Sequence, residues 1–113
     1  MAKSYEMKCP VAQTLDVIGE RWAILVLRDL LLFEARRFQD FVDALPGIPP
    51  NTLSARLKTL EAAGVVERRL YEQHPPRAEY LLTRKGRELG PIVAAMRKWG
   101  RSHGEGGGAA RVD

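Results

Sequence analysis

The sequence predicts a mainly α-helical domain with one small β-hairpin, an α+β arrangement. Apolar residues recur every three or four positions in four stretches before residue 64, and again after residue 83, which is helical spacing. Between them, residues 65–82 change to two short runs rich in β-branched and aromatic residues, which is typical of strands. The 113 residues are enough for a single domain with a modest core.

The first two helices are predicted before residue 34. Pro10 suits the first turn of helix one, and Gly19 follows its end. The apolar residues of this helix share one face: Val11, Leu15 and Ile18. The second helix, over 21–33, is apolar almost all round, so we expect it to be buried in the centre of the domain.

A third, short helix is predicted over 36–45, because Phe38, Phe41, Val42 and Leu45 follow the spacing i, i+3, i+4, i+7. The segment PGIPP, residues 46–50, then predicts a tight turn. Glycine accepts positive φ there, and the prolines prevent a helix from running through.

The fourth helix is predicted from Pro50 to about Ala63, with Gly64 as the residue that ends it. A helical wheel puts Leu53, Leu57 and Leu60 on one buried stripe. The remaining surface is short or cationic: Asn51, Thr52, Ser54, Ala55, Arg56, Lys58 and Thr59.

The rest of the chain predicts a hairpin and one long helix. Strands over 65–71 and 78–82 enclose the loop EQHPPR. Thr83 is placed to cap a helix over 84–103, which Gly90-Pro91 would kink. Its apolar stripe consists of Leu89, Ile92, Val93, Met96 and Trp99. We expect residues 1–7 to be a flexible N-terminus and 104–113 a disordered Gly-rich tail, which leaves one domain over 8–103.

Two short helices joined by a glycine-containing turn and followed by a hairpin are the outline of a winged helix-turn-helix. The charge distribution agrees with a polyanionic partner. Residues 1–50 hold 6 bases and 7 acids, a net −1, whereas residues 51–113 hold 12 bases and 7 acids, a net +5. The alternative, an ordinary solvated face rich in Lys and Arg, stays open on charge alone.

Composition argues against other classes of function. One cysteine, Cys9, cannot build an internal disulfide framework, and two scattered histidines offer no zinc constellation, so no metal or cofactor is expected. No Ser-His-acid set or phosphate loop indicates an enzyme. The longest apolar run, residues 23–27, is too short for a membrane span, and the N-terminus lacks the apolar region of a signal peptide. We therefore expect a cytoplasmic protein.

The outer face of the fourth helix has side chains suited to contacting base edges in a DNA groove. Arginine bonds guanine, asparagine bonds adenine, and small side chains meet the thymine methyl group. The N-terminal residues of a recognition helix usually meet the bases, so Asn51, Thr52, Ala55 and Arg56 rank first. Two alternatives stay open. Asn51 and Thr52 could simply satisfy free N–H groups at the helix start, and the stem of Arg56 could pack on the domain surface.

The hairpin tip carries His74 and Arg77 around two prolines, which stiffen a loop. A rigid tip with an arginine suits the minor groove or its phosphates. An ordinary surface turn is the alternative.

Three long blocks carry a family resemblance: CPVAQTLDVIGERWAILVLRDLL, RRFQDFVDALPGIPPNTLSARLKTLEAAGVVERRLY and PPRAEYLLTRKGREL. Over about residues 8–100 the sequence resembles the HxlR-type winged-helix regulators. The resemblance implies a homodimeric, cytoplasmic bacterial DNA-binding repressor or activator on an operator with two half-sites, with the fourth helix in the major groove and the hairpin as wing. It also implies dimerisation through the first and last helices, here Val11, Leu15, Leu89, Ile92, Val93, Met96 and Trp99.

Two positions depart from that family pattern. Pro49 stands where similar proteins commonly have a capping serine, and Ala55 is small where relatives often have a longer polar residue. The missing cap would cost about 1 kcal/mol, so the helix start must be held by leucine packing or by DNA phosphate.

Cys9 lies at a helix start beside Lys8, where the helix dipole favours negative charge. Some similar regulators use the matching cysteine as a sensor of oxidants or electrophiles, so the resemblance offers Cys9 as a redox sensor. A small residue packed at the helix start is the alternative. The stripe around Trp99 could likewise line a pocket for a small-molecule effector, or simply pack in the core and interface. A winged-helix module that binds proteins and no DNA is the alternative function.

Overall fold

A computed structural model describes residues 8–104, so the expectations for 1–7 and 105–113 lie outside the described residues. The described chain is mainly helical with a small antiparallel sheet, which confirms the predicted fold class. The elements in chain order are α1 (Pro10–Ile18), α2 (Arg21–Leu32), β1 (Arg36–Arg37), α3 (Phe38–Ala44), α4 (Pro50–Ala62), β2 (Val66–Gln73), β3 (Pro76–Leu82), α5 (Arg84–Arg87) and α6 (Gly90–His103).

Helix α2 lies at the centre of the core, as its composition predicts. Val26 and Leu27 are completely buried, and they share one cluster with Phe41 of α3 and the leucine stripe of α4. The prediction of burial all round is wrong at the C-terminal end of α2. There Leu32 and Phe33 remain about half exposed, because a cavity separates this end of α2 from β3 and Arg87.

The predicted geometry around α4 is confirmed. Leu53, Leu57 and Leu60 are buried. Gly47 in the preceding turn has φ +90°, and Gly64 just after the helix has φ +80°, both in the region that favours glycine. These turns set where α4 begins and ends relative to α3 and the sheet.

The sheet has the strand order β1-β3-β2, and its first strand was not predicted. Strand β1 is only Arg36–Arg37, paired with Tyr80 and Glu79 of β3. Two charged residues carry no apolar alternation, so the sequence placed them in helix α3 instead. The hairpin is also longer than predicted, since β2 and β3 pair as far as Gln73 and Pro76.

The predicted single helix over 84–103 is wrong. Thr83 does cap a helix, because its hydroxyl accepts a hydrogen bond from the Gly86 N–H at 3.0 Å, but that helix, α5, ends at Arg87. The ring of Pro91 is incompatible with a helical carbonyl four residues earlier, at Arg87, so the chain starts the separate helix α6 at Gly90.

One buried ion pair joins several of these elements. The Arg36 Nε donates to Asp29 Oδ2 at 2.8 Å, and the Asp29 side chain is only 4% exposed. The same guanidinium lies 4.0 Å from the centre of the Phe33 ring, and its Nη2 reaches the Asp40 carbonyl at 3.5 Å. It therefore ties the end of α2 to β1 and α3.

We predict that Asp29→Ala lowers the free energy of unfolding by roughly 2–3 kcal/mol, because it leaves a largely buried arginine without its partner. Urea denaturation measures the change. Glu61→Ala, at an exposed position of α4, is the control and should stay within about 0.5 kcal/mol of the parent. Equal stabilities of the two variants would contradict the prediction.

Candidate nucleic-acid interface

The surface of α4 away from its leucine stripe carries short side chains and two long cations, Arg56 and Lys58. Asn51, Lys58 and Thr59 are exposed, whereas Ser54 and Ala55 are half-buried, as is Thr52. Thr59 is already engaged, since its hydroxyl donates to the Ala55 carbonyl at 3.0 Å. Small groups of this kind let a helix approach base edges closely.

The two ends of α4 are held very differently. At the N-terminus, Pro49 makes no side-chain capping bond, as the sequence predicts. At the C-terminus, Lys85 Nζ donates to the Ala63 carbonyl at 2.8 Å, and the Thr83 hydroxyl donates to the Gly64 carbonyl at 2.6 Å. The first turn of α4 therefore keeps free N–H groups, which favour an anion, while its far end is fixed to α5.

Arg56 faces the junction between α1 and α2. Its Nε lies 3.9 Å from Glu20 Oε1, a distance that permits charge attraction but is too long for a hydrogen bond. The Arg56 Nε is buried and has no hydrogen-bond partner within residues 8–104. Glu20 also caps α2, because its carboxylate accepts from the Ala23 N–H at 3.0 Å. Any contact of Arg56 with a base would compete with its attraction to Glu20.

The cations of the hairpin are largely paired with acids. Arg77 Nε lies 3.0 Å from Glu72 Oε1, and both side chains are about half exposed. Arg69 Nη2 lies 2.6 Å from Glu79 Oε2, and this hydrogen bond raises the pKa of Arg69. His74 is exposed at the turn. The sequence suggested a tip that presents one arginine. In the structure, that arginine is paired with Glu72.

Arg68 is a further candidate that the sequence did not single out. It pairs in register with Tyr80, so both side chains lie on one face of the sheet. Tyr80 packs on Phe41 of α3 with ring centroids 6.2 Å apart. Arg68 therefore lies on the face turned toward the helices, exposed and without an ion pair in the described chain. Only the strand register reveals this position.

The start of α3 is fixed by Asp40. Its carboxylate accepts from the Arg37 backbone N–H at 2.8 Å, and this bond, with the Arg37 side chain, lowers the pKa of Asp40. A carboxyl group with a lowered pKa stabilises the fold above its unfolded-state pKa. That contribution is lost as the pH falls through the folded-state value.

The residues predicted for a dimer interface divide into two groups. Val11, Leu15, Ile92, Met96 and Trp99 are exposed, with Val11 at 68% and Trp99 at 65%. Val93 is buried within the chain, and Leu89 packs against its core. We therefore assign Val93 and Leu89 to the core, because α6 turns that side of its stripe toward α2.

Cys9 is a free, exposed thiol at the N-cap of α1. Within residues 8–104, no group of three or more His, Cys, Asp or Glu side chains is arranged to hold a metal ion. None of the helices in this part of the chain has the length and apolar composition needed to cross a membrane.

Comparison with known proteins decides the family. The model of the HxlR-like helix-turn-helix family matches residues 17–107. The chain belongs to this family. It is 45% identical over 92 residues to an HTH-type transcriptional regulator of Synechocystis, sll1512, covering 81% of this chain and 67% of that one. It is 43% identical to YybR of Bacillus subtilis, covering 84% and 75%.

Solved structures agree with this assignment. The oxidised form of the redox regulator HypR has a TM-score of 0.78 at 43% identity, covering 84% of this chain and 97% of that one. The diamide-treated form of YodB from B. subtilis has a TM-score of 0.68 at 31% identity, covering 88% and 99%. The chain is a DNA-binding transcriptional regulator with a winged helix-turn-helix fold. Regulators of this family are generally not enzymes.

We predict that Glu20→Gln tightens binding to duplex DNA several-fold, because it frees Arg56 and removes a negative charge near α4, while the amide oxygen can still cap α2. Arg56→Ala should cost about 1–3 kcal/mol if Arg56 meets a base. Fluorescence anisotropy measures both affinities. In the Arg56→Ala background the gain from Glu20→Gln should disappear, and an undiminished gain there would rule out coupling between the two side chains.

Proposed function

We propose that the chain works as a homodimer that recognises two half-sites of an operator and represses or activates transcription in the bacterial cytoplasm. Each α4 enters a major groove with Asn51, Thr52, Ala55 and, once released, Arg56 nearest the bases. Ser54, Lys58 and Thr59 lie farther along the same helix. The hairpin lies alongside as the wing, where His74, Arg77 and Arg68 meet phosphates or the minor groove.

The exposed apolar surface shared by α1 and α6 carries the dimer proposal. Both helices line one groove, a cavity of about 440 Å³. Its lining residues are Val11, Thr14, Leu15, Ile18, Gly19, Ile24, Ile92 and Met96. Large apolar side chains that stay this exposed are typical of an interaction surface. A second copy, presenting the same helices about a two-fold axis, would cover both grooves at once.

The position of α4 supports the mode of DNA binding. Its leucines fix the helix on the core, and its uncapped first turn presents free N–H groups that a phosphate can satisfy. Lys58 is exposed and forms no ion pair with the rest of the described chain, so it is available for a backbone phosphate.

We predict that Ile92→Asp converts the dimer to monomers and abolishes binding to a two-half-site operator, because it puts a charge into the apolar groove. Sedimentation equilibrium gives the mass, and anisotropy gives the affinity. Ala94→Asp is the matched control, since Ala94 is exposed on the same helix and does not line the groove. A dimeric Ile92→Asp protein with unchanged operator binding would overturn the proposed interface.

Salt dependence separates this function from a module that binds only proteins. A DNA-binding regulator loses affinity steeply as salt rises, with a slope set by the number of phosphates contacted. Lys58→Ala should reduce that slope by about one.

We also propose that Cys9 makes the regulator responsive to oxidants. The support is its exposure at the start of α1 and the similarity of the chain to a redox regulator and to a diamide-treated regulator. With one cysteine per chain, two Cys9 thiols from the two protomers would form the disulfide, while diamide takes up the two hydrogens.

We predict that diamide shifts the DNA-binding midpoint of the parent protein and produces a covalent dimer on a non-reducing gel. Cys9→Ser should give neither effect. Identical responses of the parent and Cys9→Ser in the binding assay would show that Cys9 is not a switch.

A further inference from the structure

A second cavity, of about 300 Å³, lies between α2 and α6, beside the groove that faces α1. It is mostly apolar, with two arginines at its wall. The lining residues are Ile24, Leu25, Arg28, Val93, Met96 and Arg97. Cavities that bind small molecules begin at about this size, and they combine an apolar lining with a few polar groups that orient the ligand.

The arginines lack the partners that such groups normally have. The Nε of Arg28 is buried and has no hydrogen-bond partner within residues 8–104. Neither Arg28 nor Arg97 forms an ion pair in this part of the chain, and no acidic residue lines the cavity. The positive charge at this wall therefore has no carboxylate beside it within the described chain, which favours an anion from outside.

We propose that this cavity binds a small organic carboxylate with an aromatic or short aliphatic body. The carboxylate would accept two parallel hydrogen bonds from the Arg28 guanidinium, while Arg97 adds a second positive charge at the more exposed wall. The apolar body would pack against Ile24, Leu25 and Met96. Charge complementarity at one end and apolar packing along the rest define the ligand class.

The location of the cavity would let a bound ligand affect the proposed dimer interface. Ile24 and Met96 line both this cavity and the groove between α1 and α6. A bound acid would therefore contact side chains that also form the proposed dimer surface. Binding itself depends on neither DNA nor the identity of the operator, so it can be measured independently of the proposed function.

The test is isothermal titration calorimetry of the full chain, without DNA, using 2-naphthoate as the probe. The neutral isostere 2-naphthamide has the same rings and no charge, and should bind at least tenfold more weakly. Arg28→Gln should weaken naphthoate binding at least tenfold, and Arg28→Lys should also weaken it, because an ammonium group lacks the planar fork. Lys98→Gln is the matched control, since Lys98 is exposed on α6 and does not line the cavity.

Arg97→Gln provides a second variant at an exposed position, in case Arg28→Gln fails to fold, as judged by its thermal unfolding. It should lower naphthoate affinity several-fold. Absence of saturable binding, equal affinity for naphthoate and naphthamide, or unchanged affinity in Arg97→Gln would each overturn the proposal. Loss of DNA binding with naphthoate binding intact would instead count against the proposed DNA-binding mode alone.

Discussion

The ion pair between Asp29 and Arg36 is the constraint on which the arrangement of helices and sheet depends. A buried carboxylate without a partner is unfavourable, and Arg36 supplies that partner to Asp29 from a strand of two residues. That requirement fixes β1 beside β3 and brings the start of α3 close to the end of α2. Because α3 and α4 are joined by a tight turn at Gly47, the same pair indirectly sets where α4 lies relative to the hairpin.

Helix α4 is held rigidly in its middle and at its C-terminus, whereas its N-terminal turn has free N–H groups. Its leucines and the bonds from Thr83 and Lys85 hold its middle and its C-terminus, so little conformational freedom is left to lose on binding. The N-terminal turn has the opposite character, because Pro49 leaves its N–H groups without a side-chain acceptor. The fold thus places unsatisfied donors at the end of α4 whose residues are expected to meet DNA.

Local signals in the sequence predicted much of this structure, and long-range pairing accounts for what was missed. The leucine stripe, the positive φ at Gly47 and Gly64 and the cap at Thr83 each depend on residues close in sequence, so spacing and residue type were sufficient. Strand β1 exists only through partners more than forty residues away. The contact of Arg56 with Glu20 and the orientation of Arg68 likewise depend on tertiary packing and strand register, which composition does not encode.

The net charge of residues 51–113 overstates how many basic side chains are free to bind a polyanion. Of its 12 bases, Arg56, Arg69 and Arg77 each lie within 4.0 Å of a carboxylate, and Lys85 is bonded to a main-chain carbonyl. An exposed ion pair stabilises the fold by little, so such pairs can exchange a carboxylate for a phosphate at small cost. Arg56 differs, because its Nε is buried and Glu20 is bound to the backbone of α2. Releasing Arg56 therefore depends on the junction between α1 and α2, which adjoins the groove proposed to hold the second protomer. The proposed dimer groove and Arg56, a candidate for base contact, are thereby joined through a single acidic residue, Glu20.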